Sequence, residues 1–583
     1  MKLTQTKKQQ SCRILGLNYL GIMLLCIAML ISFSACSSLF NFDIPGEDND
    51  DEPQYEYEEP APQPIDYSTA PVGLFPDDGI LRLAMRHPLT LNPLLNEDAT
   101  VAKILRLIFE PLVIFNADLR PTSHLVHLEM ASNFASANLT IRHDAIWSDG
   151  MPVTSDDLIF SVGVLRNAPD TVIYKRNVAN IAHIERVDSR TVVIIFEQAS
   201  ATAAYALNFP IIPEHHFRGH ANPASPRNME PIGNGLYQFD SIWPMLSMTL
   251  TRSPYTFRHG ATIDEVEVLF IPDADGRLYA FDQGIVDAIR MPFSEWIKHH
   301  SVKLVQHEMF PAMYFEFIGF NFQREVFQDI RARQGIAYAF DANEAMSAVY
   351  SHQAVRAVSP IHPSSWMHDD TILSPQADLA RAVTLLRTAF GTAYGTAFGT
   401  ASGATSGPPS AAQAEHDDEY EYEYASYPLP FLPIEILVNK EHIERVHIAE
   451  RLAADITRAG VDAVVVILPF DEYYTRLMEG EFDLFLGGMQ LDFAPDIGFM
   501  FEESELFGAN LAMEALLANL YLALTESAFL QAVSQLQQGF IDELPIISLG
   551  FRHSAVLTGT RVNQGSTPAS DNIFAFVNEW VIE

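Results

Sequence analysis

Between Ile434 and Leu486 the chain alternates strand and helix patterns in a way that admits one class of architecture. Ile434 to Val438 is a strand run. Val446 to Ala459 places Ile448, Leu452 and Ile456 four residues apart, an apolar helix face, with Gly460 positioned as its stop. Val464 to Leu468 is an unbroken apolar run of the kind a parallel sheet buries on both faces. A helix over Glu472 to Met478 and a strand over Asp483 to Leu486 complete two βαβ crossovers. This part of the chain is expected to be α/β.

Other segments extend the pattern. Ile80 onward reads as a strand followed by a proline-punctuated loop, and Val101 to Phe109 as a short amphipathic helix that stops before Pro111. Leu139 to Arg142 and Thr191 to Phe196 read as strands. Thr154, with Asp156 and Asp157 just behind it, reads as a helix N-cap. The 583 residues are enough for two to four domains. With 74 acidic against 36 basic residues the formal charge is −38, which argues against binding a nucleic-acid backbone or an anionic lipid surface by charge.

The N-terminus has its own chemistry. Lys2, Lys7, Lys8 and Arg13 precede an uncharged, mostly apolar run from Leu15 to Phe33, which ends in Ser34-Ala35-Cys36. This resembles the lipobox of bacterial lipoproteins, in which the cysteine is diacylated and becomes the new N-terminus. Phe33 stands where that pattern usually has Leu. The alternative is an uncleaved signal anchor, since nineteen such residues just span about 30 Å of hydrocarbon. Either way the body is expected to be tethered at the extracytoplasmic face of the membrane. The three cysteines are Cys12, Cys26 and Cys36, so no disulfide, cysteine-based zinc site or cysteine nucleophile is expected in the body.

Two low-complexity stretches follow. Residues 43–64 hold nine acids and no Lys or Arg, a solvated spacer. From Thr388 the repeat TAFG-TAYG-TAFG-TASG runs into EHDDEYEYEYASY and ends near Pro430, reading as an insertion in a surface loop.

From about Ile80 to Val556 the chain resembles the family 5 solute-binding proteins, the extracytoplasmic receptors of peptide and nickel ABC importers. The landmarks occur in order: Leu91-Asn92-Pro93, then Ile108-Phe109-Glu110-Pro111-Leu112, then Trp147 to Asp157 (WSDGMPVTSDD). Gly233-Asn234-Gly235-Leu236-Tyr237, Phe320-Asn321-Phe322 with Asp329 to Asp341, and Asp542 to Ile547 (DELPII) complete the series. The resemblance implies a two-lobed periplasmic-binding-protein-like type II α/β fold with an extra subdomain in lobe 1. On that reading, residues 1–36 are the signal peptide and 37–76 the spacer. Residues 77–310 form lobe 1 with its subdomain at about 99–200, and 311–548 form lobe 2 with the insertion at 388–430. Residues 549–583 return to lobe 1.

The implied function is capture of short peptides between the lobes for an ABC permease, by a monomer with no cofactor, no catalytic site and no nucleic-acid partner. Peptide-binding relatives fix the ligand's amino terminus with an acid in a W-x-x-D-Y-x-D-P-type segment. Here that segment reads Met489-Gln490-Leu491-Asp492-Phe493-Ala494-Pro495-Asp496, with Asp492 on the first acid and Met489 in place of Trp. The alternative for Asp492 is a turn or cap. Arg86 and His87, at the exit of the first strand, align with cleft-edge positions and suit a carboxylate, or else lie in an exposed loop. Asn321 is read as hinge and cleft wall or as plain core strand. The alternative functions are a metal-chelate receptor of the same family and a receptor-like lipoprotein without dedicated transport. An enzyme is disfavoured, because no GxSxG elbow, HExxH helix or P-loop occurs and the pairs His215-His216 and His299-His300 diverge as neighbours.

Overall fold

The computed structural model describes residues 78–292, 305–351, 353–395, 433–494, 497–501, 511–566 and 572–582. Cys36 and the whole N-terminal segment lie outside these residues. So do most of the 388–430 insertion, His299-His300 and Pro495-Asp496.

The strands in chain order are β1 (Ile80–Met85), β2 (Val113–Phe115), β3 (Pro121–Ser123), β4 (Val126–Met130), β5 (Ser136–Ile141), β6 (Ile181–Arg186) and β7 (Thr191–Phe196). They continue with β8 (Tyr237–Trp243), β9 (Ser247–Arg252), β10 (Glu265–Phe270), β11 (Ala288–Pro292), β12 (Val305–Phe320) and β13 (Ala354–Arg356). The last of the large sheets' members are β14 (Ile434–Asn439), β15 (Ala463–Leu468), β16 (Leu484–Gln490) and β17 (Ile546–Gly559). One four-stranded sheet has the order β1-β10-β9-β8 and a second β4-β5-β7-β6, while β2 and β3 form a separate hairpin. A larger sheet runs β11-β17-β12-β16-β14-β15, with β13 on β17.

The apolar pattern explains the division. In β5 and β7 every second residue is buried, the period-two signature of a sheet covered on one side. These residues, with β1, β9 and β10, feed one core that also takes in Trp147, Phe209 and Trp580. In β12, alternate residues serve two further cores: Ile318 and Phe320 pack with the helix Ile330–Ala339, and Phe315 and Phe317 with the helix Glu526–Asp542. The large sheet is therefore the middle layer of the second lobe. The strands that link the lobes belong to both, since Ala288, Phe310 and Val556 lie in the first core while Met291, Ala555 and Leu557 lie in the second lobe.

The crossing is pinned by charge. Asp287, 4% exposed, accepts from the Arg82 backbone at 2.6 Å and from Arg561 Nε and Nη2 at 2.6 and 2.8 Å. One carboxylate thus ties β1 to the start of β11 and the end of β17.

The family landmarks prove to be braces. Trp147 is fully buried and its indole donates to Asp157 at 3.2 Å. Asp157 also completes the capping box with Thr154 that starts the helix Ser155–Asn167, and accepts from the Glu214 backbone at 2.7 Å. Buried Arg333 donates to the Glu543 and Leu544 carbonyls at 2.9 and 3.1 Å, tying the two late landmarks together.

Two local expectations need correcting. β15 is parallel to β14 as expected, but it ends the sheet, and Val464 and Ile467 are 41% and 46% exposed rather than buried on both faces. The first helix runs Ala99–Leu105 and gives way to turns at Arg106 to Ile108, so it stops short of the anticipated Phe109.

Candidate ligand-binding site

Strand β16 carries the most promising residues to the place where the two lobes meet. Its apolar start, Leu484 to Leu486, is buried between helices. It then changes character at Gly487-Gly488, because a side chain at Gly488 would overlap the Arg445 guanidinium, the Glu316 carboxylate and the Tyr314 ring. Glycine is required here by a close approach.

That approach comes from a buried ionic cluster. Glu316, 1% exposed, accepts from Arg445 Nε at 2.7 Å and Nη2 at 3.3 Å, and Arg445 also reaches the Tyr314 hydroxyl at 3.3 Å. Arg552 lies 3.7 Å over the Tyr314 ring and 3.7 Å from Glu316. The Tyr314 hydroxyl donates to the Gly488 carbonyl at 3.3 Å. Glu316 holds the Arg445 proton still more firmly than usual. Burial pushes nearby His442 down to about 4, with Arg445 and Arg552 adding to the effect.

Beyond this anchored stretch, Met489 pairs with Phe315 and packs partly buried against the core, and Gln490 pairs with Tyr314 and is exposed. Leu491 is held by a backbone bond to Met313 at 2.7 Å. Asp492 is exposed, and no described residue pairs with it. Next to it, Phe493 meets Phe115 of β2 with the rings tilted by 38° and their centroids 4.4 Å apart, a contact between second-lobe and first-lobe residues.

The same side of the molecule shows further interlobe contacts. The loop between β2 and β3 lies against Trp366, whose backbone donates to the Asp118 carbonyl at 2.9 Å and whose indole donates to the Tyr205 hydroxyl at 2.8 Å. Arg120 sits 4.0 Å over the Trp366 ring and pairs with Glu526 at 2.6 Å. Burial raises the Tyr205 phenol to about 12, keeping it a neutral donor to the Leu119 carbonyl at 2.9 Å.

The remaining sequence candidates are dispersed. Arg86 and His87 leave β1 in the first lobe and are exposed. Arg86 donates to the Pro272 carbonyl at 3.0 Å and lies 3.6 Å from Asp98, while His87 meets Phe270 edge-on at 5.2 Å. Asn321 is 3% exposed and both its amide protons are used, on the Gly480 and Phe482 carbonyls at 2.9 and 2.7 Å. It braces the turn into β16, seven residues along β12 from Tyr314 and roughly 20 Å from the Gln490 end. The structure thus gathers Met489, Gln490 and Asp492, and places Asn321 elsewhere.

Tyr314, Glu316, Arg445, Arg552, Phe115 and Trp366 were not singled out from sequence. Two signals pointed to the cluster: a charge inside the apolar run Tyr314 to Phe320, and a glycine pair inside β16. Among the described residues no group of three or more His, Cys, Asp or Glu could hold a metal ion.

Comparison with known proteins places this geometry. Residues 129–503 match the family model described as "Bacterial extracellular solute-binding proteins, family 5 Middle". The "Probable peptide-binding protein YejA" of Agrobacterium fabrum is 26% identical over 301 residues, which are 46% of this chain and 48% of that protein. The chain spans about half the length of the first curated relatives it matches. Among solved structures, the ABC transporter substrate-binding protein CtaP of Listeria monocytogenes superposes with a TM-score of 0.69 at 17% identity, over 86% of this chain and 99% of that one. NikZ of Campylobacter jejuni, solved with Ni(L-His), gives 0.63 at 19% identity, over 87% and 100%. With its family match over residues 129–503 and its two-lobed α/β architecture, the chain belongs to the bacterial extracellular solute-binding proteins of family 5.

Proposed function

We propose that the protein is the extracytoplasmic receptor of an ABC importer, a monomer held to the membrane by lipid on Cys36, which captures short peptides between its lobes and delivers them to a permease. The observation that carries this reading is the exposed Asp492 carboxylate, which no described residue neutralises, on a strand end that is otherwise immobilised. A peptide ammonium fits that acid through a charge-assisted hydrogen bond. Extended backbone offers a ligand hydrogen bonds that read no side chain. Closing the lobes on the ligand requires only that the ligand bind the closed form better than the open one.

The test uses the full chain purified in mild detergent and pools of tri- and tetrapeptides. Native mass spectrometry should show bound masses of a few hundred daltons that fragment as peptides, with a rise in melting temperature. Asp492→Ala should weaken free-amino peptides about tenfold or more and leave N-acetylated ones unchanged. Equal loss for both removes the ammonium role. Indifference of the wild type to every peptide, with stabilisation by nickel plus histidine, moves the assignment to a metal-chelate receptor.

A further inference from the structure

Single apolar side chains on a protein surface need no explanation, but an unbroken exposed run of them does. The hairpin that joins β8 to β9 carries such a run. Trp243, Pro244, Met245 and Leu246 are all exposed, the Trp, Met and Leu at 65%, 70% and 67%, and no charged residue stands from Ser241 to Ser247.

The backbone of the tip is costly in one place and economical in the others. The Leu246 N–H donates to the Trp243 carbonyl at 3.0 Å, closing a turn with Pro244 and Met245 at its centre. Met245 has φ 65°, the left-handed region that glycine enters freely and that a turn with Pro in the second position favours in the third. A long thioether occupies that corner instead and points into solvent. Few polar groups are left open around it. The Trp243 carbonyl is taken by Leu246, the Leu246 carbonyl accepts from the Phe270 amide at 2.8 Å, and Pro244 has no N–H. Backbone that enters an apolar phase has to satisfy its own polar groups in this way.

Shape and position single out the partner. The tip projects from the end of the sheet β1-β10-β9-β8 at which Met85 pairs with Phe270, and Leu89, 94% exposed, leaves β1 at the same end. A protruding point suits a deformable partner, whereas a protein would need a matching pocket. Trp with unbranched Met and with Leu is the composition of segments that lie in the headgroup–acyl boundary of a bilayer. Residues 37–77 separate Cys36 from the first described residue, and an unstructured chain of that length spans about 35 Å. At so short a range a weak apolar contact suffices, because the tether supplies the local concentration.

We propose that the β8–β9 tip is a second, non-covalent membrane contact, with Trp243, Met245 and Leu246 seated in the interface of the bilayer that holds the N-terminus. The proposal rests on the membrane tether of the reading above and not on the identity of the ligand. The tip is uncharged, so the contact is apolar and indifferent to salt.

The test uses the full chain reconstituted with phosphatidylcholine vesicles, either plain or brominated on their acyl chains. Flotation with the vesicles reports the tether, and quenching of tryptophan emission by bromine reports the tip. The wild type should float and be quenched, equally at about 0.1 M and 1 M salt. Trp243→Phe should float without quenching. Met245→Gly, freed of an unfavourable backbone conformation, should melt no lower than the wild type yet be quenched about threefold less. A wild type that floats unquenched keeps the tether and overturns the proposal, leaving the run to a protein partner. Quenching that survives Trp243→Phe comes from another of the five tryptophans and overturns it too, as does quenching abolished by salt. A chain that does not float removes tether and contact together.

Discussion

Glu316 lies 1% exposed beside two guanidinium groups, and among the described residues only Arg445 hydrogen-bonds it. Removing one partner of a buried pair leaves the other charge stranded in low dielectric, which costs about 3–5 kcal/mol. Glu316→Gln should therefore lower stability by about 3 kcal/mol in urea unfolding, and by more than the exposed-pair control Arg142→Gln. A loss below about 1 kcal/mol would mean that Arg445 finds Asn439, 3.5 Å away, an adequate replacement. At this scale the sequence was uneven to read. Asp492 drew attention because it falls in a local pattern, and the structure leaves it exposed beyond the end of β16. The pairing of Glu316 with Arg445 was not legible, because the two arrive from β12 and from the helix Ile443–Arg458, more than one hundred residues apart, and no local spacing encodes that meeting. Asn321 stayed open between hinge and core strand for a related reason: its sequence neighbourhood marks an end of β12, and only the sheet register says which end.

Helix starts and crossovers were the more readable level. Thr154 donates to and receives from Asp157 across the first turn of Ser155–Asn167, as the S/T-x-x-acid spacing implied. Thr154→Ala should cost about 1 kcal/mol and lower the melting temperature by a few degrees, with Thr154→Ser close to wild type. Equal melting of all three would show that Asp157, which also holds Trp147 and the Glu214 backbone, fixes the helix start alone. The alternation of strand and helix after Ile434 likewise fixed parallel pairing of β14 with β15 and β16. It did not fix the order. A run such as Ala463 to Leu468 is equally apolar at the centre of a sheet and at its edge, and the edge position of β15 follows from β16 inserting on the other side of β14.

For the whole molecule, pH is the informative variable. His362 is 1% exposed with its Nε2 lacking a partner among the described residues, and burial lowers its pKa to about 4, with His553 and His368 adding repulsion. His442 is lowered to about 4 as well. Both imidazoles bind a proton more weakly folded than unfolded, so the unfolded chain takes up more protons as pH falls below about 6.5. The stability present above pH 6.5 is thus lost progressively toward pH 4. The melting temperature should be flat from pH 8 to about 7 and fall below it, and His362→Gln should flatten the upper part of that fall; an unchanged slope would assign the loss to other groups. The manner in which the lobes are joined has a mechanical consequence of its own. β11, β12 and β17 are cross-linked by antiparallel ladders, that of β12 and β17 running from Val305–Gly559 to Gly319–Ile546 with register shifts between Pro311 and Tyr314 and between Glu316 and Phe317. A stack bonded edge to edge behaves as a leaf spring: stiff against sliding and splaying in its own plane, compliant only to flexing across it, and softest at those two shifts. One lobe can therefore nod toward the other along a single arc, and the ligand that completes the site also chooses where on that arc the spring comes to rest.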